Sequence, residues 1–199
     1  MIHFLKKIRL REPEIFTSPA EHLTSKETGE EIFSAGEFLK KLLANNDSPE
    51  EYAQKVLSAL AGEMEILQAV FLVMKDVASE PKLAFLAGYA CLEEEDHTDE
   101  FSIGEGLPGQ VARDGESLRL HEVPKGYMTI RTGLGEASPA SLIIMPVKYG
   151  KEILGVIEIA SFRGFTDEED HFLDDLSTEL GGYLKHFHIN GYINPGNEA

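Results

Sequence analysis

The stretch GEGLPGQVARDGES, residues 104–117, places four glycines and a proline around a segment long enough for only a short helix. Gly104 and Gly106 permit a sharp entry with positive φ, and Pro108 suits the first helical turn. Gly115 can end the helix in the left-handed conformation. One apolar face remains between them, formed by Leu107, Val111 and Ala112. The stretch therefore predicts a short helix packed tightly on another layer. It lacks the Lys-Ser/Thr ending of a phosphate-binding loop and the glycine spacing of a dinucleotide fingerprint.

Apolar runs of strand length lie on both sides of this stretch. Upstream, QAVFLVMKD (68–76) and KLAFLAGYA (82–90) predict a hairpin with a proline near its turn. Downstream, SLIIMPVKY (141–149) and EILGVIEIASF (152–162) predict a second hairpin joined by a tight turn. A short polar strand is expected at 117–121. The chain between that strand and Pro139 is predicted to be irregular.

Three further segments have helical periodicity. The first, residues 30–46, carries a narrow apolar stripe. The second opens at Ser48, where Pro49 and Glu51 complete a capping box, and the last opens at Thr166 with Glu169 as its capping partner. Helices at both ends of a set of antiparallel strands predict an α+β layer fold.

The predicted organisation is one domain with extensions, as the length of 199 residues favours. An extended N-terminal arm covers residues 1–29 and an N-terminal helix residues 30–46. The folded domain is predicted over 47–188, followed by a C-terminal tail over 189–199.

Charge and cysteine content exclude several classes of partner. A formal net charge of -17 opposes binding to nucleic acid, because phosphate contacts require Lys and Arg, and it also opposes anionic membranes. The single cysteine, Cys91, cannot form an internal disulfide, which is typical of a reducing cytoplasm. No apolar run has the length of a membrane span or of a signal peptide core. A cytoplasmic protein is expected.

The sequence resembles the GAF domain family, a sensory fold related to PAS. The resemblance rests on GEGLPGQVARDGES, on LGEASPASLIIMPVKYGKEILGVIEIASF at 134–162, and on Phe165 before the last helix. It covers residues 48–187. It implies an antiparallel sheet of five to six strands, with flanking terminal helices and a short helix over the ligand face, as in bacterial sensor histidine kinases and chemotaxis-type transducers.

The family's known activities match this sequence poorly. Bilin-binding members use a Cys commonly beside a His, whereas Cys91 is followed by Leu92. Cyclic-nucleotide-binding members carry an Asn-Lys pair upstream of Phe-x-x-x-Asp-Glu, and the matching region of this chain, ASFRG, has none. Free methionine sulfoxide reductases of this fold use paired cysteines, which a single cysteine cannot supply.

The resemblance also locates a ligand site between the sheet and the irregular segment that follows the short helix. The residues expected there from that segment are Tyr127, Met128, Ile130 and Arg131, and from the sheet Phe71, Tyr89, Cys91 and Glu158. Arg131 is predicted to pair with an anionic group of the ligand and Tyr127 to stack on it. The open alternative is that the apolar members simply fill a second core.

No catalytic set and no metal site is predicted. His186 and His188 stand two residues apart at a helix end, which is not the spacing of a closed metal site. The acidic run within 92–101 lacks the glycine and spacing of a calcium loop, and a solvated loop is expected there. No cofactor is identified.

These observations favour a non-enzymatic sensor that binds a small organic molecule and passes its state to a signalling partner in trans. An enzyme on the same fold and a ligand-free dimerisation scaffold are the alternatives. A homodimer is also expected, because the stripe of the first helix needs a surface to bury it; the open alternative is that this helix folds back on its own domain in a monomer. The predicted interface residues are Ile32, Leu39, Leu42 and Leu43.

Overall fold

The computed structural model describes residues 34–42, 48–77, 80–91, 100–132 and 135–189. The predicted arm 1–29, most of the acidic loop, nearly all of the tail, and the residues Ile32 and Leu43 lie outside the described residues. The helices and strands, in chain order, are α1 (Ala35–Leu42), α2 (Pro49–Glu63), β1 (Gln68–Val77), β2 (Glu80–Tyr89), β3 (Phe101–Ser102), α3 (Gly106–Asp114), β4 (Leu118–Leu120), β5 (Ile130–Thr132), β6 (Gly135–Ala137), β7 (Ser141–Tyr149), β8 (Glu152–Ser161) and α4 (Asp167–Ile189).

Six strands form one antiparallel sheet in the order β3-β2-β1-β8-β7-β4, which confirms the predicted α+β fold. Strands β5 and β6 form a separate hairpin inside the segment that was expected to be irregular. Three-residue strands of this kind leave little periodic signal in a sequence.

Both long helices begin as the capping boxes predict. The Ser48 hydroxyl accepts a hydrogen bond from the Glu51 backbone N–H at 3.2 Å, and the Glu51 carboxylate accepts one from the Ser48 N–H at 3.0 Å. At α4, Thr166 and Glu169 exchange the same pair of bonds at 3.2 and 2.8 Å. Each box satisfies N–H groups that the first helical turn cannot bond internally.

The glycine-rich stretch forms the predicted short helix. Gly115 ends α3 with φ of 69°, and its N–H donates to the Val111 carbonyl at 2.8 Å. Gly109 packs so closely on the chain before α3 that a methyl group there would overlap the Ser102 carbonyl oxygen. Gly109 therefore lets the start of α3 lie directly against β3, while the helix packs on β7 and β8.

The sheet is covered on both faces, and each face takes its name from what covers it. The helix face packs on α2 and α4, against which α1 packs in turn, and the α3 face packs on α3 and on the crossing segment, residues 121–129. Strand β7 is buried from Ser141 to Val147 as a result. Within the described residues, no helix is long and apolar enough to cross a membrane.

Helix α1 packs on the chain's own domain, which removes Leu39 from the predicted dimer interface. Leu39 is fully buried in the helix-face core, and the Phe38 and Phe172 rings meet edge to face at a centroid distance of 5.4 Å. Leu42 is half-buried against the same core. Here α4 covers the apolar stripe of α1, which was predicted to pack on a second copy of the chain. An apolar stripe alone does not specify which surface covers it.

Helix α4 approaches β7 closely enough that only small residues fit between them. The Ser177 hydroxyl donates a hydrogen bond to the Pro146 carbonyl. One turn further on, a methyl group at Gly181 would overlap the Lys148 carbonyl oxygen, whereas a methyl group at Gly182 would meet nothing within 4 Å. This contact fixes how α4 lies on the sheet.

The two adjacent glycines supply a matched test of that contact. Gly181→Ala should lower the free energy of unfolding by about 1–3 kcal/mol, because α4 must move away from β7 to fit the methyl group. Gly182→Ala should raise it by about 0.5–1 kcal/mol through helix propensity alone. Urea denaturation followed by circular dichroism measures both. Equal effects of the two substitutions would contradict the described packing of α4.

Candidate ligand-binding site

The α3 face carries a second apolar core. Its buried members, from the sheet, α3 and β5, are Leu72, Leu83, Val111, Ala112, Ile130, Leu142, Ile144, Val156 and Ala160. Met128 and Val123 of the crossing segment pack against them, half-buried. A second apolar core thus exists on this face, as the open alternative to a ligand site expected, and any site here has mainly apolar surroundings.

Glu158 interrupts this apolar face near the middle of β8. Its neighbours in the sheet are Val70 on β1 and Ile144 on β7, so its side chain emerges between two apolar residues. The side chain is mostly buried. A carboxylate in such a place loses most of its hydration, which makes the charged form costly unless a partner compensates.

Tyr127 of the crossing segment reaches this carboxylate. Its hydroxyl donates a hydrogen bond to Glu158, while 38% of the residue remains exposed. The segment turns sharply beside it, where Gly126 has φ of 83° and the Tyr127 N–H donates to the Pro124 carbonyl at 3.1 Å. Tyr127 therefore lies at the boundary between solvent and the buried Glu158.

Cys91 lies near the same carboxylate, just after β2. Its single S–H lies within hydrogen-bond distance of the carbonyls of Ala69 and Tyr89, with the sulfur at 3.4 and 3.5 Å from their oxygens, and the sulfur is also hydrogen-bonded to the Gln68 side chain. Ala90 before it has φ of 53°, the left-handed conformation that is uncommon for a residue with a side chain. This turn brings the thiol back over β1.

Burial is the largest cause of the pKa shifts of Glu158, Cys91 and Tyr127. It raises the pKa of Glu158 to about 7, and the hydrogen bond from Tyr127 opposes that rise. Burial also raises the pKa of the Cys91 thiol, and the negative charge of Glu158 raises it further. The pKa of Tyr127 is raised by burial and by the same charge. Near neutral pH, Glu158 is close to its titration midpoint and the other two groups hold their protons.

Five of the eight predicted site residues lie on or beside the α3 face: Cys91, Tyr127, Met128, Ile130 and Glu158. Phe71 and Tyr89 do not, because both pack in the helix-face core, and the prediction that they face the crossing segment is wrong. Phe71 alternates with Val70 and Leu72 along β1. A bulge in the pairing of β1 with β2 shifts the alternation of β2, so that Tyr89 joins the helix face although Leu83 and Phe85 lie on the other.

Arg131 is on the surface rather than in the apolar core. Its guanidinium pairs with Glu136 across the β5–β6 hairpin, with Nε and Oε1 at 3.0 Å, and its side chain is 61% exposed. The arginine predicted to hold an anion is thus engaged with a carboxylate outside the core.

Gln68 is a member of the site that the sequence prediction missed. It bonds to Cys91 and stands two residues before Val70, on the same side of β1. The sequence feature that could have indicated Gln68 is its polar side chain at the start of an otherwise apolar strand. That strand pairs with the segment that contains Glu158. Among the described residues, no group of three or more His, Cys, Asp or Glu side chains is arranged to hold a metal ion.

Comparison with known proteins agrees with this architecture. The GAF domain family model matches residues 46–184. The GAF domain of an Acinetobacter phosphoenolpyruvate-protein phosphotransferase has a similar structure, at 19% identity and a TM-score of 0.65, with 80% of this chain and 96% of that one covered. The GAF domain of A. aeolicus nlh2 has 22% identity and a TM-score of 0.57, covering 76% and 94%.

Enzymes also appear among the similar structures. A type II free methionine-R-sulfoxide reductase from Thermoplasma acidophilum has 21% identity and a TM-score of 0.55, covering 78% of this chain and 97% of that one. No curated protein matches the chain in sequence. The chain belongs to the GAF domain family, and its fold is found both in a domain of a phosphotransferase and in a free methionine-R-sulfoxide reductase.

The buried carboxylate makes a specific prediction about stability. Because the pKa of Glu158 is about 7 in the folded protein and near 4.5 ordinarily, the folded state binds this proton more tightly than the unfolded chain. The contribution of Glu158 to stability therefore falls as pH rises from about 4.5 to about 7, and stays reduced above that. Glu158→Gln removes the loss, so its stability relative to wild type should increase by about 2 kcal/mol between about pH 5 and about pH 8.

Urea denaturation across this pH range measures the difference. Glu122→Gln, at an exposed position of the crossing segment, is the matched control and should follow the wild type at every pH. A Glu158→Gln difference that does not change with pH would contradict the burial described for this carboxylate.

Proposed function

We propose that this chain is a non-enzymatic regulatory module of bacterial signal transduction, which binds a small organic molecule on the α3 face against Glu158 and Tyr127. The observation that carries the proposal is the mostly buried carboxylate of Glu158. Among the described residues, its hydrogen-bond partner is the Tyr127 hydroxyl alone. A buried ionisable group with so little compensation is more typical of a binding site than of a structural core.

The crossing segment suits a role in both binding and output. It is held to the sheet by the apolar contacts of Val123 and Met128 and by the bond from Tyr127 to Glu158. A ligand at Glu158 must contact Tyr127, because that side chain covers the carboxylate. Occupancy of the site would therefore change the position of a surface segment that a protein partner can contact.

The second candidate function is a thiol-dependent reductase, which the similarity to a free methionine-R-sulfoxide reductase favours. Two properties of Cys91 oppose it. The chain has one cysteine, and both burial and Glu158 raise the pKa of its thiol, whereas a reactive cysteine needs thiolate. Turnover of free methionine-R-sulfoxide with dithiothreitol, abolished by Cys91→Ser, would favour the reductase.

Two further features belong to the proposal. A cytoplasmic location fits the single free thiol. The homodimer stays a prediction, and its interface cannot use Leu39 while that residue is buried in the chain's own core.

The experiment is a thermal-shift screen against a metabolite panel balanced among cationic, neutral and anionic compounds. At about one hundred times its dissociation constant, a bound compound should stabilise the wild type by roughly 2.7 kcal/mol. Tyr127→Ala should weaken binding about tenfold or more, because it removes the side chain that covers the site. A dimerisation scaffold would instead respond to no compound.

Tyr149→Ala is the matched control, since Tyr149 is an exposed tyrosine at the β7–β8 turn. It should leave the affinity unchanged. The proposal fails if no compound stabilises the protein, or if the two tyrosine substitutions weaken binding equally.

A further inference from the structure

Among the residues that the structure describes, only the Tyr127 hydroxyl is hydrogen-bonded to the carboxylate of Glu158. A carboxylate has two oxygens with about four acceptor positions. The Tyr127 hydroxyl fills one of them, and the described residues provide no cation to Glu158. The strand neighbours Val70 and Ile144 have no polar side-chain atoms to offer. The site therefore presents open acceptors and a negative charge to whatever enters.

Arg131, which the sequence analysis placed in this site, does not neutralise the negative charge of the site. Arg131 is paired with Glu136 and largely exposed. An anionic ligand would thus meet the charge of Glu158 without a compensating cation from Arg131 in its surface position. A neutral donor would fill acceptor positions but leave the buried charge unbalanced.

We infer that the ligand of this site is an organic cation, a protonated amine on an apolar carbon skeleton, whose N–H groups donate to the open oxygens of Glu158. The inference rests on the proposed function and names the ligand class for the same site. The apolar part would contact the α3-face side chains beside Glu158, including Val70, Ile144 and Met128.

The net negative charge of the whole chain also favours a cationic ligand. With 35 acidic and 18 basic residues, its field attracts small cations and repels anions. The Tyr127 ring at the solvent boundary also offers a π face to an ammonium group. Both effects favour an amine over its acid analogue before any direct contact is made.

The titration of Glu158 gives the site a pH dependence. The titratable groups that face it are Tyr127 from the crossing segment and Cys91 after β2, while β1 and β7 contribute uncharged residues. Both Tyr127 and Cys91 hold their protons near neutral pH, because the pKa of each is raised. Since the pKa of Glu158 is about 7, the charged form that attracts an amine grows about tenfold between pH 6 and pH 8.

The test uses two sets of three compounds, each sharing one type of skeleton: hexylamine, hexanamide and hexanoate, and 2-phenylethylamine, 3-phenylpropanamide and 3-phenylpropanoate. NMR titrations of the full chain at pH 8, followed on tyrosine ring signals, measure each affinity. At least one amine should bind saturably, and about tenfold or more tightly than its amide and its acid. Its affinity should fall about tenfold at pH 6.

Two substitutions locate the binding. Glu158→Gln should weaken the amine about tenfold or more and abolish the pH dependence, while keeping the shape of the side chain. Tyr127→Phe keeps the ring but removes the bond that lowers the pKa of Glu158, so the pH midpoint of amine binding should move upward. Glu136→Gln, at the exposed partner of Arg131, is the control and should change neither value.

The inference is overturned if neither amine binds saturably, if an acid binds as tightly as its amine, or if Glu158→Gln binds the amine as well as wild type does. These outcomes are distinguishable from failure of the proposed function. An anionic or neutral metabolite that binds in the balanced screen and is weakened by Tyr127→Ala would leave the proposed function standing and remove only the ligand class.

Discussion

The hydrogen bond between Tyr127 and Glu158 is the interaction on which the functional interpretation of this fold depends. It joins the sheet to the crossing segment at the one carboxylate described within the apolar α3 face. Burial pushes that carboxylate toward its neutral form, and the tyrosine hydroxyl partly restores the charged one. The protonation state of Glu158 therefore responds to small changes in its surroundings, which is a property expected of a binding site.

The rest of the fold keeps this carboxylate buried. On the helix face, Gly181 and Ser177 let α4 lie directly on β7, so that the central strands are covered from that side. On the other face, the glycines of residues 104–117 let α3 pack against the sheet. With both faces covered, Glu158 is mostly buried, and Tyr127 of the crossing segment contacts it at the boundary with solvent.

Features encoded by neighbouring residues could be predicted from the sequence. The capping boxes at Ser48 and Thr166 and the end of α3 at Gly115 depend on local backbone chemistry, and all three were confirmed. The site residues of the crossing segment were expected from the resemblance to the GAF family, which places a ligand between the sheet and the segment that follows α3. Glu158 was expected as well, although its burial and its role as the charged centre of the site were not evident from sequence.

Features that depend on register or on the partner surface could not be predicted. Tyr89 changes face because of a bulge between β1 and β2, which no local pattern announces. The apolar stripe around Leu39 was equally consistent with packing on a second copy and on α4. Arg131 found an acidic partner in a short hairpin that the sequence did not reveal. In each case a long-range contact decides the position of the side chain.

Glu158 is a mostly buried carboxylate whose charge, within the described part of the chain, is compensated by little except Tyr127. Its titration can be followed directly by NMR through the carboxyl carbon of Glu158, assigned by comparison with Glu158→Gln. A midpoint of about 7 is the expected result. A midpoint near the ordinary value of 4.5 would show that water or an ion pair solvates this carboxylate, and would contradict its burial between Val70 and Ile144.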